Sequence, residues 1–299
     1  MTRSPDTAHI AQVRSFNRMV TERIGALNEE YLDGGRPLGA SRLLWEVGDG
    51  ADVRQLRARL GLDSGYLSRL LRRLEADGLV EVGASPSDGR VRVVTLTASG
   101  QVERARLDRR SDDLAGALLE PLSDRQRARL VKAMDEVERL LTASAVEVHE
   151  VDPADPDVAR CLRAYFTELS ERAATGLDPR AETPSAEDMR PPHGKVLLAY
   201  LHGEAIACAG LKHHAGGMSE VKRMWVDPSA RGLGLGRRML GAVEDLARSE
   251  GVTRLRLDTN EHLTEAIAMY RSAGYLEIPR YTDEPFATHW FEKSLPSSP

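Results

Sequence analysis

The stretch Glu220-Val221-Lys222-Arg223-Met224-Trp225-Val226-Asp227-Pro228, followed by Arg231-Gly232-Leu233-Gly234-Leu235-Gly236-Arg237-Arg238, decides how the second half of the chain folds. Its apolar-rich first part predicts a strand, its glycines a tight turn, and the amphipathic residues from about Gly234 to Glu250 a helix. A strand that runs into a glycine-rich turn and opens a helix makes an anion cradle. Backbone amides converge there with no Cβ in the way, and the helix N-terminus adds its partial positive charge. A pyrophosphate is the natural ligand. Two common nucleotide loops are disfavoured by spacing: no Gly-Lys-Ser/Thr ending follows, and the glycines are spaced one and one rather than one and two.

Outward from this stretch, strands and helices are mixed. Val146 to Val151 alternates apolar and polar residues as a half-buried strand does, and Pro153 and Pro156 frame a helix starting near Asp157. Ala173 to Gly194 has little periodicity and reads as a long loop. Strands are predicted at Val196–Leu201, Ala205–Leu211, Glu220–Val226, Leu255–Leu257, Tyr275–Ile278 and His289–Phe291, with a further helix at Leu263–Ala273. This order indicates an α/β mixed-sheet domain.

Arg-x-x-Gly-x-Gly after Met-Trp-Val, together with Ala266-Ile267-Ala268-Met269-Tyr270-Arg271-Ser272-Ala273-Gly274-Tyr275, resembles the GNAT superfamily of acyl-CoA-dependent N-acyltransferases. The likeness runs from about Val146 to Leu295. It implies acetyl-CoA as co-substrate and an amine as acceptor. It further implies that the backbone of Met224 and Val226 pairs with pantetheine, and that Arg231, Gly232, Leu233, Gly234, Gly236 and Arg237 cradle the pyrophosphate, chiefly through main-chain amides. Asn260 follows the next strand as a CoA contact. An amine with a pKa of ~10.4 is protonated at neutral pH and must lose a proton before attacking a thioester. Glu220 is the candidate base, directly or through water, with a plain ion pair to Lys222 or Arg223 as its structural alternative. By analogy the Val226 amide supports the oxyanion, and Tyr270 gives the departing thiolate its proton. No metal is assigned, because His213-His214 lacks partners at ligand spacing. Trp225, Trp290 and Cys208 read as core residues.

The first half is helical. Ile10, Val13, Phe16, Met19, Val20, Ile24, Leu27 and Tyr31 recur at helical spacing up to Gly34-Gly35-Arg36-Pro37. Helices follow at Leu38–Val47, Val53–Leu60 and Ser64–Ala76. Val80–Val82 and Val91–Leu96 then form a hairpin, and two long helices cover about Ala98–Leu119 and Asp124–Ala145. Helix, tight turn, helix and basic-tipped hairpin make a winged helix-turn-helix, in which the second helix enters the major groove of DNA. With Leu67, Leu70, Leu71 and Leu74 facing inward, Tyr66, Ser68, Arg69, Arg72 and Arg73 face outward, and Ser64 sits at the helix start as a phosphate donor.

Leu67-Ser68-Arg69-Leu70, Leu74-Glu75-Ala76-Asp77-Gly78-Leu79-Val80 and Asp88-Gly89-Arg90 in this order resemble the MarR family of dimeric regulators. The resemblance implies a homodimer built from the first and the last two helices. It also implies a double-stranded DNA operator, with Arg90 reaching a minor groove and Asp88 orienting it, and a small-molecule pocket between the dimerisation helices and the DNA-reading lobe.

At 299 residues two domains are expected, 1–145 and 146–299: a mainly α winged helix-turn-helix domain, then a GNAT-like α/β domain. Up to Val146 there are 23 basic against 22 acidic residues, net +1, and 18 against 24 thereafter, net −6, so the acidity of the chain lies in the second half. Arg54 to Arg92 nevertheless holds eight arginines against five acids, enough for a local basic face. No apolar run approaches the ~18 residues that span a bilayer, and two cysteines make no disulfide framework. With no apolar leader before a cleavage site, a cytoplasmic protein that binds no membrane is expected. Three readings remain: a regulator fused to an acetyltransferase, a regulator that only senses acyl-CoA, and an acetyltransferase whose first half only dimerises. Ala173–Gly194 and Pro279–Pro285 border the acceptor side, and their acids, Glu182, Glu187, Asp188, Asp283 and Glu284, read either as solvated loop charge or as a cation attractant.

Overall fold

The computed structural model describes residues 6–26, 28, 31–33, 35–85, 89–173, 186–284 and 287–296. Packing divides the chain into two compact units, one up to Lys132 and one from Ala133 onward.

The first unit begins with α1 (Thr7–Arg23), whose Asp6 side chain accepts from the Ala8 amide at the N-terminus. The apolar periodicity predicted one helix as far as Tyr31, but α1 stops at Arg23. Gly25 takes φ +65°, so the spacing outlasts the helical backbone. Helices α2 (Leu38–Val47), α3 (Val53–Leu60) and α4 (Ser64–Ala76) follow. Each of the last two is N-capped by an aspartate, Asp52 on Arg54 N and Asp63 on Tyr66 N, an arrangement that stabilises a helix by about 1 kcal/mol. A two-residue strand that the sequence did not reveal, β1 (Ala51–Asp52), pairs with β3 (Arg92–Leu96), which pairs in turn with β2 (Val80–Ala84). Leu43, Leu44, Leu56, Leu67, Leu74 and Val94 fill the core beneath this hairpin. Each such leucine contributes about 2 kcal/mol of transfer free energy. Two long helices complete the N-terminal elements, α5 (Ala98–Leu119) and α6 (Asp124–Ser144), and the division between the units falls inside α6.

The second unit is a seven-stranded sheet with helices. Its elements are β4 (Glu147–Val151), α7 (Pro156–Ala173), β5 (Gly194–Leu201), β6 (Glu204–His214), β7 (Met218–Val226), α8 (Leu235–Ser249), β8 (Arg254–Thr259), α9 (Thr264–Ser272), β9 (Leu276–Ile278) and β10 (His289–Ser294). The order across the sheet is β4-β5-β6-β7-β8-β10-β9, antiparallel throughout except for β7 beside β8. Helix α8 lays Met239, Leu240, Val243 and Ala247 on one face of the sheet, and α7 lays Val158, Cys161, Leu162 and Phe166 against residues such as Leu198 and Cys208 in a separate cluster. Most strands exceed their predicted limits by one to three residues, because ladder hydrogen bonds continue past the apolar core positions that alternation detects.

Candidate active site

In the second unit the two parallel strands part. Met218, Ser219 and Glu220 pair with Arg254, Leu255 and Arg256, and no further register position of β7 is bonded to β8. Farther along, β7 carries a bulge against β6. The register shifts between Cys208 and Gly210, and Arg223 takes φ +54°, a conformation that side chains other than glycine rarely adopt. The Cys208 thiol donates to the Arg223 carbonyl at 3.3 Å. The neighbouring Cys161 thiol and burial keep it protonated well above the ordinary thiol range.

A cavity of about 160 Å³ opens where the strands diverge. Lys222 and Met224 line it from β7, Asp258 and Asn260 from the end of β8, and Tyr270 from α9. The parted edge leaves the backbone of Met224 and Val226 without a partner on β8, so another extended chain can take that place.

The glycine turn follows directly. Asp227 accepts from the Ser229 amide at 2.9 Å, and Gly232 and Gly234 take φ +84° and +71°, which explains why glycines stand there. Gly234 is the N-cap of α8, and no side chain caps that end, so its first amides are available to an anion. Gly236 has ordinary helical backbone, but a Cβ on it would sit 3.2 Å from Met269 Sδ, so its role is close packing of α8 on α9. Leu233 is half-buried against the core.

The two arginines of this turn are engaged within the fold. Arg231 donates from Nε and Nη2 to the Val226 carbonyl at 3.2 and 3.1 Å, and from Nη2 to Glu168 Oε2 at 2.5 Å. Arg237 donates to the Ser272 hydroxyl. Asn260 is buried at 7% exposure, and its Oδ1 accepts from the His262 amide at 3.0 Å.

Tyr270 lies 6% exposed between Tyr275 and Phe291, each ring 6.0 Å away. No described residue hydrogen-bonds its hydroxyl. Burial raises its pKa, so the proton is retained at neutral pH and the group faces the cavity as a donor.

Glu220, the candidate base read from the sequence, is held within the fold. It is 3% exposed and does not line the cavity. Its Oε1 accepts from Tyr281 OH at 2.7 Å and ion-pairs with Lys222 Nζ at 3.3 Å, and its Oε2 lies 3.2 Å from His214 Nε2. Its oxygens are thus surrounded by partners supplied by the fold. The structural alternative, pairing with Lys222, is present.

Lys222 and Asp258 occupy the wall instead. Lys222 Nζ donates to Asp258 Oδ2 at 2.8 Å and lies 3.7 Å from Glu284 Oε1. Burial disfavours the ammonium, but Glu220 and Asp258 outweigh it and hold the Lys222 pKa above the ordinary lysine value. Burial also raises the Asp258 pKa, against the opposing pull of Lys222. Sequence reasoning missed Lys222 and Asp258 as site residues; their positions, each two residues from Glu220 and Asn260 respectively, gave no signal without the geometry of the parting. Glu168, 57 residues from Trp225, was missed too; it accepts from Trp225 Nε1 at 2.9 Å.

In the first unit, Leu67, Leu71 and Leu74 are buried, and Ser64, Tyr66, Ser68, Arg69, Arg72 and Arg73 are exposed. The Arg69 guanidinium stacks 5.7 Å from the Tyr66 ring, and Arg72 Nε donates to the Ser68 carbonyl at 3.2 Å. Tyr66 leans toward α2: a Cβ on Gly39 would meet its hydroxyl at 2.8 Å. Arg90 is exposed at the turn before β3, while Asp88 lies outside the described residues. Among the described residues no helix is long and apolar enough to cross a membrane, and no group of His, Cys, Asp or Glu is placed to hold a metal ion.

Comparison with known proteins matches residues 159–275 to the acetyltransferase (GNAT) family and residues 35–91 to the MarR family. The chain is 39% identical over 87 residues to an IAA acetyltransferase of Azospirillum brasilense, covering 29% of this chain and 57% of that protein. It is 34% identical over 97 residues to an uncharacterised N-acetyltransferase of Schizosaccharomyces pombe, covering 32% of this chain and 60% of that one. The N-alpha-acetyltransferase RimI of Mycobacterium tuberculosis is 30% identical over 125 residues, covering 41% of this chain and 74% of the relative. The chain thus spans less than two thirds of the first two relatives and nearly three quarters of the third. With its parted strands, glycine turn and cavity tyrosine, the chain belongs to the GNAT acetyltransferase family, and it carries a MarR-family segment ahead of that domain.

Proposed function

We propose that residues 146–299 transfer an acetyl group from acetyl-CoA to an amine by direct attack, and that residues 1–145 form a dimeric operator-binding domain. The observation that carries the enzymatic half is the parting of β7 from β8 immediately before a turn whose Gly232 and Gly234 have positive φ. The free edge at Met224 and Val226 suits pantetheine. The amides from Arg231 to Arg237, at an uncapped helix start, suit a diphosphate, with Asn260 at the cavity wall beside the cofactor path. Arg231 and Arg237 contribute through their backbone and by bracing the turn. The Val226 amide supports the charge that develops on the thioester oxygen, and Tyr270, buried and protonated, gives the sulfur its proton. Glu220 anchors Lys222 and Tyr281 behind the wall.

For the first half, the exposed Ser64, Tyr66, Ser68, Arg69, Arg72 and Arg73 on one helix support insertion into a major groove, with Arg90 on the wing, and with Asp88 assigned there from the sequence alone. Ile10, Val13, Phe16 and Met19 recur every three residues on α1 and are exposed, as are Leu140 and Leu141 on α6, which supports burial against a second copy. A DNA-binding, acetyl-CoA-using protein with two unbridged cysteines belongs in the cytoplasm. The test is thiol release from acetyl-CoA with a panel of primary amines, peptides and arylamines, run beside retention of promoter fragments at several salt concentrations. Amine-dependent release and salt-sensitive retention support the two halves separately; absence of either removes that half.

A further inference from the structure

Resting on the acetyltransfer reading, we propose that Asp258, held by Lys222, is the residue that accepts the proton of the incoming ammonium. The base must lie within hydrogen-bond reach of the nitrogen or one water away, so a place on the cavity wall comes first. Asp258 has that place and Glu220 does not. The Asp258 carboxylate is also half-engaged. Its Oδ2 accepts from Lys222 Nζ at 2.8 Å and from Thr282 Oγ1 at 3.3 Å, while no described residue bonds Oδ1. Glu220 by contrast has partners on both oxygens.

The groups around Asp258 explain how it stays a usable base. Lys222 and Glu220 face it from β7, Glu284 and the Thr282 hydroxyl from the segment after β9, Tyr165 from α7 and Tyr270 from α9, with Trp290 in register on β10. The nearest cation, Lys222, is shared with Glu220 and Glu284, so its charge is not spent on Asp258 alone. Burial sets the carboxyl above the usual aspartate range, nearer the pH at which a proton must be exchanged.

The ammonium gives one proton to Asp258 Oδ1, and the freed lone pair forms the N–C bond as the carbonyl electron pair moves to oxygen. When that pair returns, the C–S bond breaks and the sulfur takes a proton from Tyr270. The second nitrogen proton, acidified by bond formation, restores Tyr270. Asp258 then releases its proton to solvent, leaving amide, thiol and one proton.

The experiment follows kcat against pH for the full chain, for Asp258→Asn and for Glu220→Gln, with acetyl-CoA binding measured by calorimetry for each. The expected result is an acid limb in the wild type that vanishes in Asp258→Asn, with kcat about 10²-fold lower or more, while acetyl-CoA binding stays within threefold. Glu220→Gln keeps the limb. An Asp258→Asn variant that retains the limb and most of the rate overturns the proposal, as does loss of the limb in Glu220→Gln alone. Should Asp258→Asn fail to fold, Asp258→Glu decides: a limb displaced in pH supports the assignment, and an unmoved limb overturns it. A wild type that binds acetyl-CoA but acetylates no amine removes the acetyltransfer reading itself, and this inference with it.

Discussion

Arg231 and Glu168 form a clamp between the glycine turn and α7: Nη2 lies 2.5 Å from Oε2, and the same guanidinium donates twice to the Val226 carbonyl. Glu168 also holds Trp225 through its indole nitrogen and Arg172 through its other oxygen. One carboxylate thereby joins the end of β7, the start of the turn and a helix on the sheet's face. The clamp fixes where the turn's amides point, and a misplaced donor costs far more than the contact itself. Replacing Glu168 with Gln keeps the shape and removes the charge. Acetyl-CoA affinity is expected to fall about tenfold, or ~1.4 kcal/mol, by calorimetry, while KM for the amine stays nearly constant. Equal changes in both constants would contradict the assignment.

At Gly234 the backbone itself is the requirement. Its φ of +71° costs a side-chain-bearing residue about 1–2 kcal/mol, and a Cβ there meets no neighbouring atom, so space is not the obstacle. Gly234→Ala is expected to lower the thermal midpoint by a few degrees and to weaken CoA and acetyl-CoA alike, because both carry the diphosphate. Selective loss of acetyl-CoA alone would show that the turn senses the acetyl end instead.

Tyr270→Phe separates chemistry from binding. Loss of the buried donor leaves the rings of Tyr275 and Phe291 in place, so the fold and acetyl-CoA binding should persist. The expected result is a kcat lower by about 10²-fold. A variant as fast as the wild type would assign sulfur protonation to another group or to solvent.

Gly100 predicts the cost of crowding in the first unit. A Cβ on this α5 residue would stand 1.9 Å from the Leu79 carbonyl oxygen, and that oxygen already accepts from the Thr97 amide. Backbone cannot move aside as a side chain does, so Gly100→Ala should destabilise the protein by about 2–3 kcal/mol in denaturant unfolding. A neutral substitution would mean that the hairpin and α5 shift apart readily.

Arg73→Ala and Arg90→Ala test the operator reading. Each should reduce the slope of log affinity against log salt by about one if the residue contacts phosphate. Loss of discrimination between sequences at an unchanged slope would place it on base edges.

Much of the fold was legible because its signals are local. Asp63 with the leucines of α4, the hairpin turn residues, and the glycines ending at Gly236 each carry their meaning within a few residues. Helix α1 was overextended because Ile24 keeps the spacing where Gly25 leaves the helix, and β1 escaped notice because two residues show no period. The site was legible only in part. Tyr270 and the glycine turn lie in continuous motifs, but the wall was not written in sequence. Glu220 alternates correctly on β7, and only the point at which β8 departs decides that Lys222 and Asp258 face the cavity instead. The Glu168 clamp depends on a contact spanning 63 residues, and no spacing announces it.

The most direct test of the acetyltransfer claim is the mass of a primary amine after incubation with the intact chain and acetyl-CoA. One added acetyl group is expected, with the gain reduced in step by Tyr270→Phe and Asp258→Asn. An amine of unchanged mass, across the whole panel and at acetyl-CoA concentrations that saturate binding, would contradict it.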